Sequence, residues 1–478
     1  AFGVSPMNKI VYNSVVFFAL LATIFQQVIQ GVDKAGRWQY AEFMTMADRL
    51  MSGQPMYANV LQGDYVIQSI YFPGMAYLIA FIKTIFGSSD ILTLYVIVFF
   101  LFLFLFISLF QLSIKFGNGK VNTFLSLVII FSLFFDHFLF YLTEAKADPL
   151  LISLTIITTF IVHSILKNKA KKIDYFKLLL FLIFVGILKQ QSIAIFAGLF
   201  IYLLLDNQFS KRIKLLLIGL IFFSGILVVL IVLSNSNAYL VTIQVPSSHK
   251  FSSVIDNAEM VFLELQISWF YISVVIASIW INYKKIMSNS YVRMWLIISI
   301  FFLAMSIVSF LKQGGNGGNL QSGMVMFAPF FIMLIHDIAI KSSKFVLVLY
   351  AILLVSIPKN IMLSVDHYRD YLSNHQNNKS TQAYLKKNFQ GYKALFSSQD
   401  YLMLVGAGLI PTENYDIYGQ SRHLIDRSKF PIGQKIDIIF GDMKYINYDG
   451  FVEWKSNNIP QHLIGAIYVR DASLQNSN

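Results

Sequence analysis

The stretch TEAKADPLLISL, residues 143–154, places ionisable side chains directly before an apolar run. Glu144, Lys146 and Asp148 come first, and Pro149 follows them. An acid followed by proline favours a helix start, with Asp148 as N-cap and Pro149 at the first helical position. Each ionised group deep in a bilayer costs about 2.5 to 3.5 kcal/mol, so charges at the mouth of an apolar helix indicate a site that handles a polar substrate.

Asp136 and His137 precede this stretch in the same short loop. One alternative is that Asp148 only caps its helix and that the loop is an ordinary turn. The number of ionisable groups favours a functional role, because a turn between two apolar helices does not need them. No metal is required by these residues, although Asp136, His137, Glu144 and Asp148 have the side-chain types that bind a divalent ion.

Amines and amides occur in two further short loops. Lys189 and Gln190 begin the sequence KQQS between two apolar runs. Such a lysine either extends its ammonium to the lipid headgroups or binds a lipid phosphate as a point charge. Lys312 begins KQGGNGGNLQSG, where the glycines allow the backbone close to a ligand and Asn316 and Asn319 can bind hydroxyls. The alternative for this loop is a flexible connection between spans.

A third set of candidates follows the first apolar run. Asp33 lies where that run meets the membrane interface, and Arg37 comes shortly after it. An amphipathic helix is predicted from about residue 40 to 51. Its acids, Glu42 and Asp48, are either solvated surface charges or substrate-binding residues.

The composition of the whole chain is typical of a membrane protein. Of 478 residues, 56% are hydrophobic and only 13% are charged, and the mean hydropathy is +0.63. A water-soluble domain needs a more polar surface. The net charge of +12 would suggest nucleic acid in a soluble protein, but the lysines lie in short loops between apolar runs, so no nucleic-acid partner is expected. The absence of cysteine excludes disulfides and thiol chemistry.

About eleven runs have the length that a membrane-crossing helix needs, roughly 20 apolar residues. They lie near 11–31, 90–114, 121–135, 149–166, 175–188, 191–205, 214–234, 260–282, 293–311, 323–340 and 344–364. Lysines and arginines fall in alternate loops, which the positive-inside rule places in the cytoplasm. The N-terminus is on the same side if residues 71–87 do not cross the membrane. The segments predicted to face outward are 32–89, 136–148, 189–190, 235–258, 312–322 and the residues after about 366.

Residues 71–87, YFPGMAYLIAFIKTIFG, have two interpretations. The segment is short and contains Lys83, so we favour a helix in the outer interface over a crossing. A twelve-span arrangement with an outward N-terminus gives the same downstream orientation. Under the interfacial interpretation, residues 32–89 form a large first outer loop.

The composition becomes more polar at about residue 366. Residues 1–365 are therefore predicted to form a transmembrane domain and residues 366–478 a small outer α/β domain. A polar helix is expected first, and strands are expected in YLMLVGAGLI, KIDIIFG and HLIGAIYVRD, which are rich in aliphatic and β-branched residues. Gly406 and Gly408 form a lone GxG, which is too weak a signal for a nucleotide site.

The order and sidedness of these motifs resemble those of the GT-C class of membrane glycosyltransferases, most closely the bacterial branch related to protein O-mannosyltransferases and the lipid A aminoarabinose transferase. The first span ends at an acid, and a helix start of the form Asp-Pro-Leu-Leu, a KQQ sequence and a Gly/Asn-rich loop follow in order. The matching residues of the first outer loop are Ala47, Leu50, Gly53, Tyr57, Phe72, Pro73 and Gly74. The likeness covers most of residues 10–325.

The resemblance implies a polytopic all-α, GT-C-like membrane protein with a small C-terminal extracytoplasmic α/β domain. It implies an enzyme of the bacterial cytoplasmic membrane that takes a sugar from a polyprenyl-phosphate carrier on the outer face. The acceptor would be a glycan, a lipid or a protein, and transfer usually proceeds with inversion.

Carried over to this sequence, Asp33 acts as base or orients the acceptor, Asp148 and Glu144 lie near the donor, and Lys189 and Lys312 hold the carrier phosphate. A second acid usually follows the first-loop acid in this family, but here Lys34 follows Asp33. Either acid of the amphipathic helix is therefore an alternative for its role.

Two other functions are compatible with the sequence. A transporter or flippase of a lipid-linked saccharide should have charges near mid-membrane and repeats between its halves. Here the charges gather at one face, and no such repeat is found. A glycan polymerase or ligase should have several arginines in its outer loops, whereas Arg37 and Arg49 are the only ones predicted on the outer side of the membrane region.

Overall fold

The structure is a computed structural model, in which most of the chain is described. The described residues are 6–35, 39–57, 71–87, 90–133, 146–167, 171–244, 247, 254–312, 317–396, 404, 407–414, 437–440, 451–454 and 467–470.

Helices make up most of the described chain. They are α1 (Pro6–Ala35), α2 (Gln39–Met51), α3 (Gly74–Phe86), α4 (Asp90–Lys115), α5 (Lys120–Leu133), α6 (Asp148–Leu166), α7 (Lys172–Leu188), α8 (Ser192–Leu205), α9 (Lys211–Leu233), α10 (Val254–Ile281), α11 (Tyr283–Ser288), α12 (Ser290–Leu311), α13 (Gly317–Val325), α14 (Ala328–Lys341) and α15 (Ser343–Phe389). A short π-helix, Leu240–Gln244, lies between α9 and α10. The strands are β1 (Lys393–Phe396), β2 (Ile410–Asn414), β3 (Ile438–Phe440), β4 (Phe451–Glu453) and β5 (Ile467–Arg470).

The chain divides into two compact units. The first unit comprises residues 1–31, 95–231 and 250–365. The second unit comprises residues 32–94, 232–249 and 366–478.

Five described helices are long and apolar enough to cross a membrane, which makes this a multi-pass membrane protein. They are Tyr95–Lys115, Asp148–Leu166, Lys211–Leu233, Ser290–Leu311 and Lys344–Asp366. Helices α13 and α14 pass the same test as a pair that is bent by 43°. The larger number of about eleven spans stays a prediction.

Helices α6 and α7 form an antiparallel hairpin in the first unit. They contain 19 and 17 residues, so the start of α6 and the end of α7 lie at the same end of the hairpin. At its other end, the Lys171 backbone N–H donates to the Asp174 carboxylate at 2.8 Å and fixes the start of α7. The hairpin thereby brings residues near 148 and 189 together.

Helix α12 packs tightly between α8 and α13. A Cβ added to Gly198 of α8 would lie 2.8 Å from the Cα of Ile298. A Cβ added to Gly323 of α13 would lie 2.9 Å from the side chain of Ser306 on α12. Glycine at these two positions therefore permits close helix contacts.

The bend between α13 and α14 exposes backbone carbonyls that neighbouring helices satisfy. The Met326 carbonyl accepts hydrogen bonds from Trp295 Nε1 at 2.8 Å and from Ser299 Oγ at 3.3 Å. The Met324 carbonyl accepts one from Tyr271 Oη at 3.1 Å. Such partners are what allow a broken helix at membrane depth.

A second buried carboxylate anchors the loop after α8. Asp206 pairs with Arg293 in the first turn of α12, and its other side-chain oxygen accepts from the Gln208 backbone N–H at 2.8 Å. Burial alone would raise the pKa of Asp206, but these hydrogen bonds outweigh it and hold the pKa below its usual value.

In the second unit, α2 and α3 are joined by polar contacts. Lys83 Nζ lies 2.5 Å from Asp48 Oδ1, and Tyr57 Oη donates to the Tyr71 carbonyl at 2.9 Å. Helix α2 confirms the amphipathic helix predicted near residues 40–51. Helix α3 has 13 residues, fewer than a crossing needs, and its place in the outer interface stays a prediction.

The five strands form one sheet in the order β2-β1-β3-β5-β4. β1 is parallel to β2 and β3, whereas β5 is antiparallel to β3 and β4. The strands predicted in KIDIIFG and HLIGAIYVRD are confirmed as β3 and β5.

The strand predicted in YLMLVGAGLI is wrong in its described part. Gly408 has a φ of 78°, and Ala407 and Gly408 form a turn, so β2 begins only at Ile410. The turn arises because glycine readily adopts this left-handed conformation, which the aliphatic composition of the segment does not reveal. The span and the polar helix predicted around residue 366 form one continuous helix, α15.

Candidate functional site

Asp148 is the first residue of α6 and is buried, with 3% of its surface exposed. The predicted helix start is confirmed, but the predicted N-cap role is wrong. Ala147 occupies the N-cap position, and no side chain caps the helix there. The Asp148 carboxylate instead accepts hydrogen bonds from Lys189 Nζ at 2.9 and 3.0 Å and from Ser322 Oγ at 2.7 Å.

Lys189 follows α7 directly and is buried at the same end of the hairpin. Its backbone is extended, with φ −159° and ψ 148°, which ends the helix and turns the chain toward α8. Nζ also lies 3.5 Å from Asn319 Oδ1. A buried ammonium held by a carboxylate does not fit the alternative in which Lys189 extends to the lipid headgroups.

Helix α13 supplies two further contacts of the pair. Asn319 and Ser322 are three residues apart and therefore share one face of this helix. The Gly/Asn-rich sequence that begins at Lys312 was predicted to bind a ligand, and Asn319 of that sequence lies in the first turn of α13. Ser322 was not predicted, although its spacing from Asn319 was a usable signal.

The site holds a second buried lysine. Lys146 is 7% exposed, and its ammonium stabilises the charged Asp148 carboxylate, in addition to the stronger effect of Lys189. Removing one partner from a buried ion pair typically costs about 3 to 5 kcal/mol, because the other charge is left uncompensated. Three charged side chains are therefore interdependent at one end of α6.

This arrangement suits binding of an anion better than removal of a proton. Both oxygens of Asp148 already accept hydrogen bonds from an ammonium or a hydroxyl, which leaves the carboxylate little capacity to act as a base. Lys189 has three N–H donors, and its ammonium contacts both Asp148 oxygens and, at the longer distance of 3.5 Å, Asn319 Oδ1, so a bound anion would replace the Asn319 contact. An ammonium fixed in this way stabilises negative charge that develops on a leaving group.

Two further predicted site residues of the first unit lie at helix ends. Gln190 is half-buried in the turn between α7 and α8. Lys312 is half-buried as the C-cap of α12. Gln191 and Ser306 were not predicted as site residues.

Two predicted acids lie on α2 in the second unit. Glu42 is buried, whereas the side chain of Asp48 is 45% exposed in its pair with Lys83. Asp48 thus has a contact that joins α2 to α3. The substrate-binding roles of both acids stay predictions.

The remaining predicted residues lie outside what the structure describes. Asp33 is in the last turn of α1, but its side chain is outside the described part. Arg37, Asp136, His137, Glu144 and Asn316 lie outside the described residues altogether. Their roles, including divalent-ion binding around Asp136, stay predictions.

The similarity of this chain to known proteins lies in its fold. No protein-family model matches the chain. No curated protein sequence matches it significantly.

Solved structures do match. ArnT from Cupriavidus metallidurans in the apo state has a TM-score of 0.58 at 12% identity, covering 97% of this chain and 98% of that chain. ArnT bound to undecaprenyl phosphate has a TM-score of 0.53 at 11% identity, with coverage of 97% and 99%. These matches confirm the predicted resemblance at the level of fold, and the chain has the GT-C fold of ArnT.

Proposed function

We propose that this protein is a membrane glycosyltransferase that uses a sugar linked to a polyprenyl phosphate. A fold does not by itself specify an activity, so the proposal depends on the site. The observation that carries it is the buried ammonium of Lys189, held at one end of α6 by Asp148, whose carboxylate also accepts from Ser322. Undecaprenyl phosphate is the lipid bound in one of the similar ArnT structures, and its phosphate is an anion that such an ammonium can bind.

The reaction requires one bond exchange and one proton transfer. An acceptor hydroxyl attacks the anomeric carbon, the bond from that carbon to the phosphate oxygen breaks, and polyprenyl phosphate leaves with the electron pair. Lys189 stabilises the negative charge on the leaving phosphate. The hydroxyl proton passes to a carboxylate other than Asp148, and we assign this role to Asp33, with Glu42 or Asp48 as alternatives.

We further propose a side of the membrane, a class of acceptor and a stereochemistry for the reaction. Transfer takes place at the outer face of the bacterial cytoplasmic membrane, with a cytoplasmic N-terminus and residues 366–478 on the outer side. About eleven spans surround the site, and the acceptor is a glycan, a lipid or a protein. Displacement by direct attack inverts the anomeric configuration.

Transfer assays on the full chain test the proposal. The protein is reconstituted in lipid nanodiscs, supplied with undecaprenyl-phosphoryl sugars and a membrane extract as acceptor source, and scored by release of undecaprenyl phosphate. We expect Lys189→Ala to lower kcat/KM by about 10²- to 10³-fold, because a fixed charge at the leaving group is lost. Lys285→Ala is the control, because Lys285 forms an ion pair with Asp337 at 4.0 Å that is partly exposed to solvent.

Two results would contradict the proposal. One is full activity of the Lys189→Ala protein, which would make Lys189 a purely structural residue. The other is movement of a lipid-linked saccharide across the membrane without release of undecaprenyl phosphate, which would favour the transporter alternative.

A further inference from the structure

Two buried polar side chains near the Asp148–Lys189 pair have no hydrogen-bond partner in the part of the chain that the structure describes. Gln191 is 3% exposed, and neither its Oε1 nor its Nε2 is paired. Ser306 is 0% exposed, and its Oγ is unpaired. Buried amides and hydroxyls are nearly always paired in folded proteins, so each of these two groups calls for an explanation.

Both side chains lie at the level of the pair. Gln191 is two residues after Lys189, and Ser306 contacts Gly323, the residue after Ser322. The contact of Gly198 with Ile298 sets the register of α8 against α12. Gln191 lies about 10 Å from Gly198 along the axis of α8, and Ser306 lies about 12 Å from Ile298 along the axis of α12.

The opposite ends of these helices fix their direction. Asp206, which follows α8, pairs with Arg293 in the first turn of α12. The two helices therefore run antiparallel. Gln191 and Ser306 lie at similar positions along the helix axes, at the end where Lys189 lies.

The chemistry of the unpaired atoms restricts what they bind. An amide offers a donor on nitrogen and an acceptor on oxygen, and a serine hydroxyl offers both on one atom. A phosphate dianion has only acceptors, so it would leave the amide oxygen unsatisfied. A sugar hydroxyl is both donor and acceptor and satisfies all of these groups.

We infer that Gln191 and Ser306 bind hydroxyl groups of the transferred sugar, while Lys189 binds the phosphate that carries it. This inference rests on the proposed function and adds a separate sugar subsite to it. The arrangement places sugar recognition on α8 and α12 and phosphate recognition at the end of α7.

Lipid-binding measurements on the full chain separate the two subsites. Bare undecaprenyl phosphate is compared with undecaprenyl-phosphoryl glucose, mannose and galactose. We expect at least one glycosylated lipid to bind wild-type protein more tightly than the bare lipid. Gln191→Met and Ser306→Ala should each weaken binding of that lipid by about 5- to 100-fold and leave binding of the bare lipid unchanged. Lys189→Ala should weaken binding of every lipid.

Matched controls come from the opposite end of the first unit. Asn118 and Ser113 are also buried and unpaired among the described residues. The turn that holds Asn118 adjoins Phe116, whose ring packs on Tyr291, and Tyr291 Oη lies 3.1 Å from Thr159 Oγ1. Thr159 is about 16 Å along α6 from Asp148, so Asn118→Met and Ser113→Ala should change no lipid affinity.

Three results would overturn the inference. Equal affinity of wild-type protein for all four lipids would show that the sugar is not recognised. Unchanged affinities in the Gln191→Met and Ser306→Ala proteins would show that bound water satisfies these groups instead. Equal weakening of bare and glycosylated lipids by Gln191→Met would assign Gln191 to positioning Lys189. A failure of Lys189→Ala to affect any lipid would contradict the proposed function separately.

Discussion

The hydroxyl of Ser322 decides how the buried carboxylate of Asp148 is held. It donates at 2.7 Å to the same oxygen that Lys189 contacts at 2.9 Å, so two donors of different kinds share one acceptor. The second carboxylate oxygen accepts from Lys189 at 3.0 Å. These contacts support the proposal that Asp148 positions the ammonium and does not accept the proton.

The sequence singled out Asp148, Lys189 and Asn319, but it did not predict that they meet. Each stood out because a charge or an amide interrupts apolar sequence. Ser306 was missed because a serine within an apolar helix is common and carries no local signal, and Ser322 was missed although its spacing from Asn319 was a signal. Their roles depend on which helices pack together, and a single sequence does not contain that information.

The pair of Asp206 with Arg293 should make the stability of the fold depend on pH. The folded-state pKa of Asp206 lies below the unfolded value of about 3.9, so the pair with Arg293 stabilises the fold fully above that pH and loses its effect as the pH falls through the folded value. At pH 7, Asp206→Asn should lower the free energy of unfolding by about 1 to 3 kcal/mol. Thermal unfolding in detergent should show the gap from wild type closing below about pH 4.

Asp366→Asn is the control for this prediction. The Asp366 side chain is 67% exposed, and its pair with Arg369 is 4.0 Å long, so little stability depends on it. A gap between Asp206→Asn and wild type that stayed constant down to pH 3 would contradict the assignment.

At the scale of elements, the site depends on how closely α12 approaches its two neighbours. Gly198 and Gly323 let α8 and α13 pack closely against α12, and Lys189, which precedes α8, and Ser322 of α13 both contact Asp148. The bend between α13 and α14 is compatible with this packing because Trp295 satisfies the Met326 carbonyl. The packing of α13 against α12 thus positions Ser322.

Gly198→Ala should therefore be destabilising. The added Cβ would lie 2.8 Å from a backbone atom of Ile298, so α8 and α12 must separate. We expect a loss of about 1 to 3 kcal/mol in unfolding free energy, measured by thermal unfolding, together with reduced transfer activity.

Gly225→Ala on α9 is the matched control. A Cβ at Gly225 has no neighbour within 4 Å, so alanine should be neutral or stabilise α9 by about 0.5 to 1 kcal/mol. Equal effects of the two substitutions would show that the α8–α12 contact is not tight.

At the scale of the whole molecule, the apolar runs predicted most of the helices, because length and hydropathy alone define a crossing. The small sheet was predicted less well. β1 and β4 were missed, and the strand expected at residues 401–410 was replaced, in its described part, by the turn at Gly408. Short strands depend on partners distant in sequence, which local composition does not specify.

Sidedness is testable because the chain has no cysteine. Ser52 and Ser288 are both exposed, and each donates to the carbonyl three residues before it at 3.0 Å. Lysine and arginine placement predicts that position 288 is inside, and the interfacial interpretation of residues 71–87 predicts that position 52 is outside. A membrane-impermeant maleimide should label Ser52→Cys in intact cells and should label Ser288→Cys only after permeabilisation.

The reverse pattern would invert the predicted orientation. Labelling of both positions in intact cells would place them on one side of the membrane. Either result would remove the outer-face assignment of the transfer reaction.

The separation of the site residues along the chain has a consequence for biogenesis. Asp148 and Lys189 are 41 residues apart, whereas Ser322 is 174 residues beyond Asp148. A nascent chain that has released α6 and α7 already carries an acid and an amine that neutralise each other as the hairpin inserts. The ribosome adds the hydroxyl of Ser322 much later, so the acid and the amine can pair before the anion site is complete.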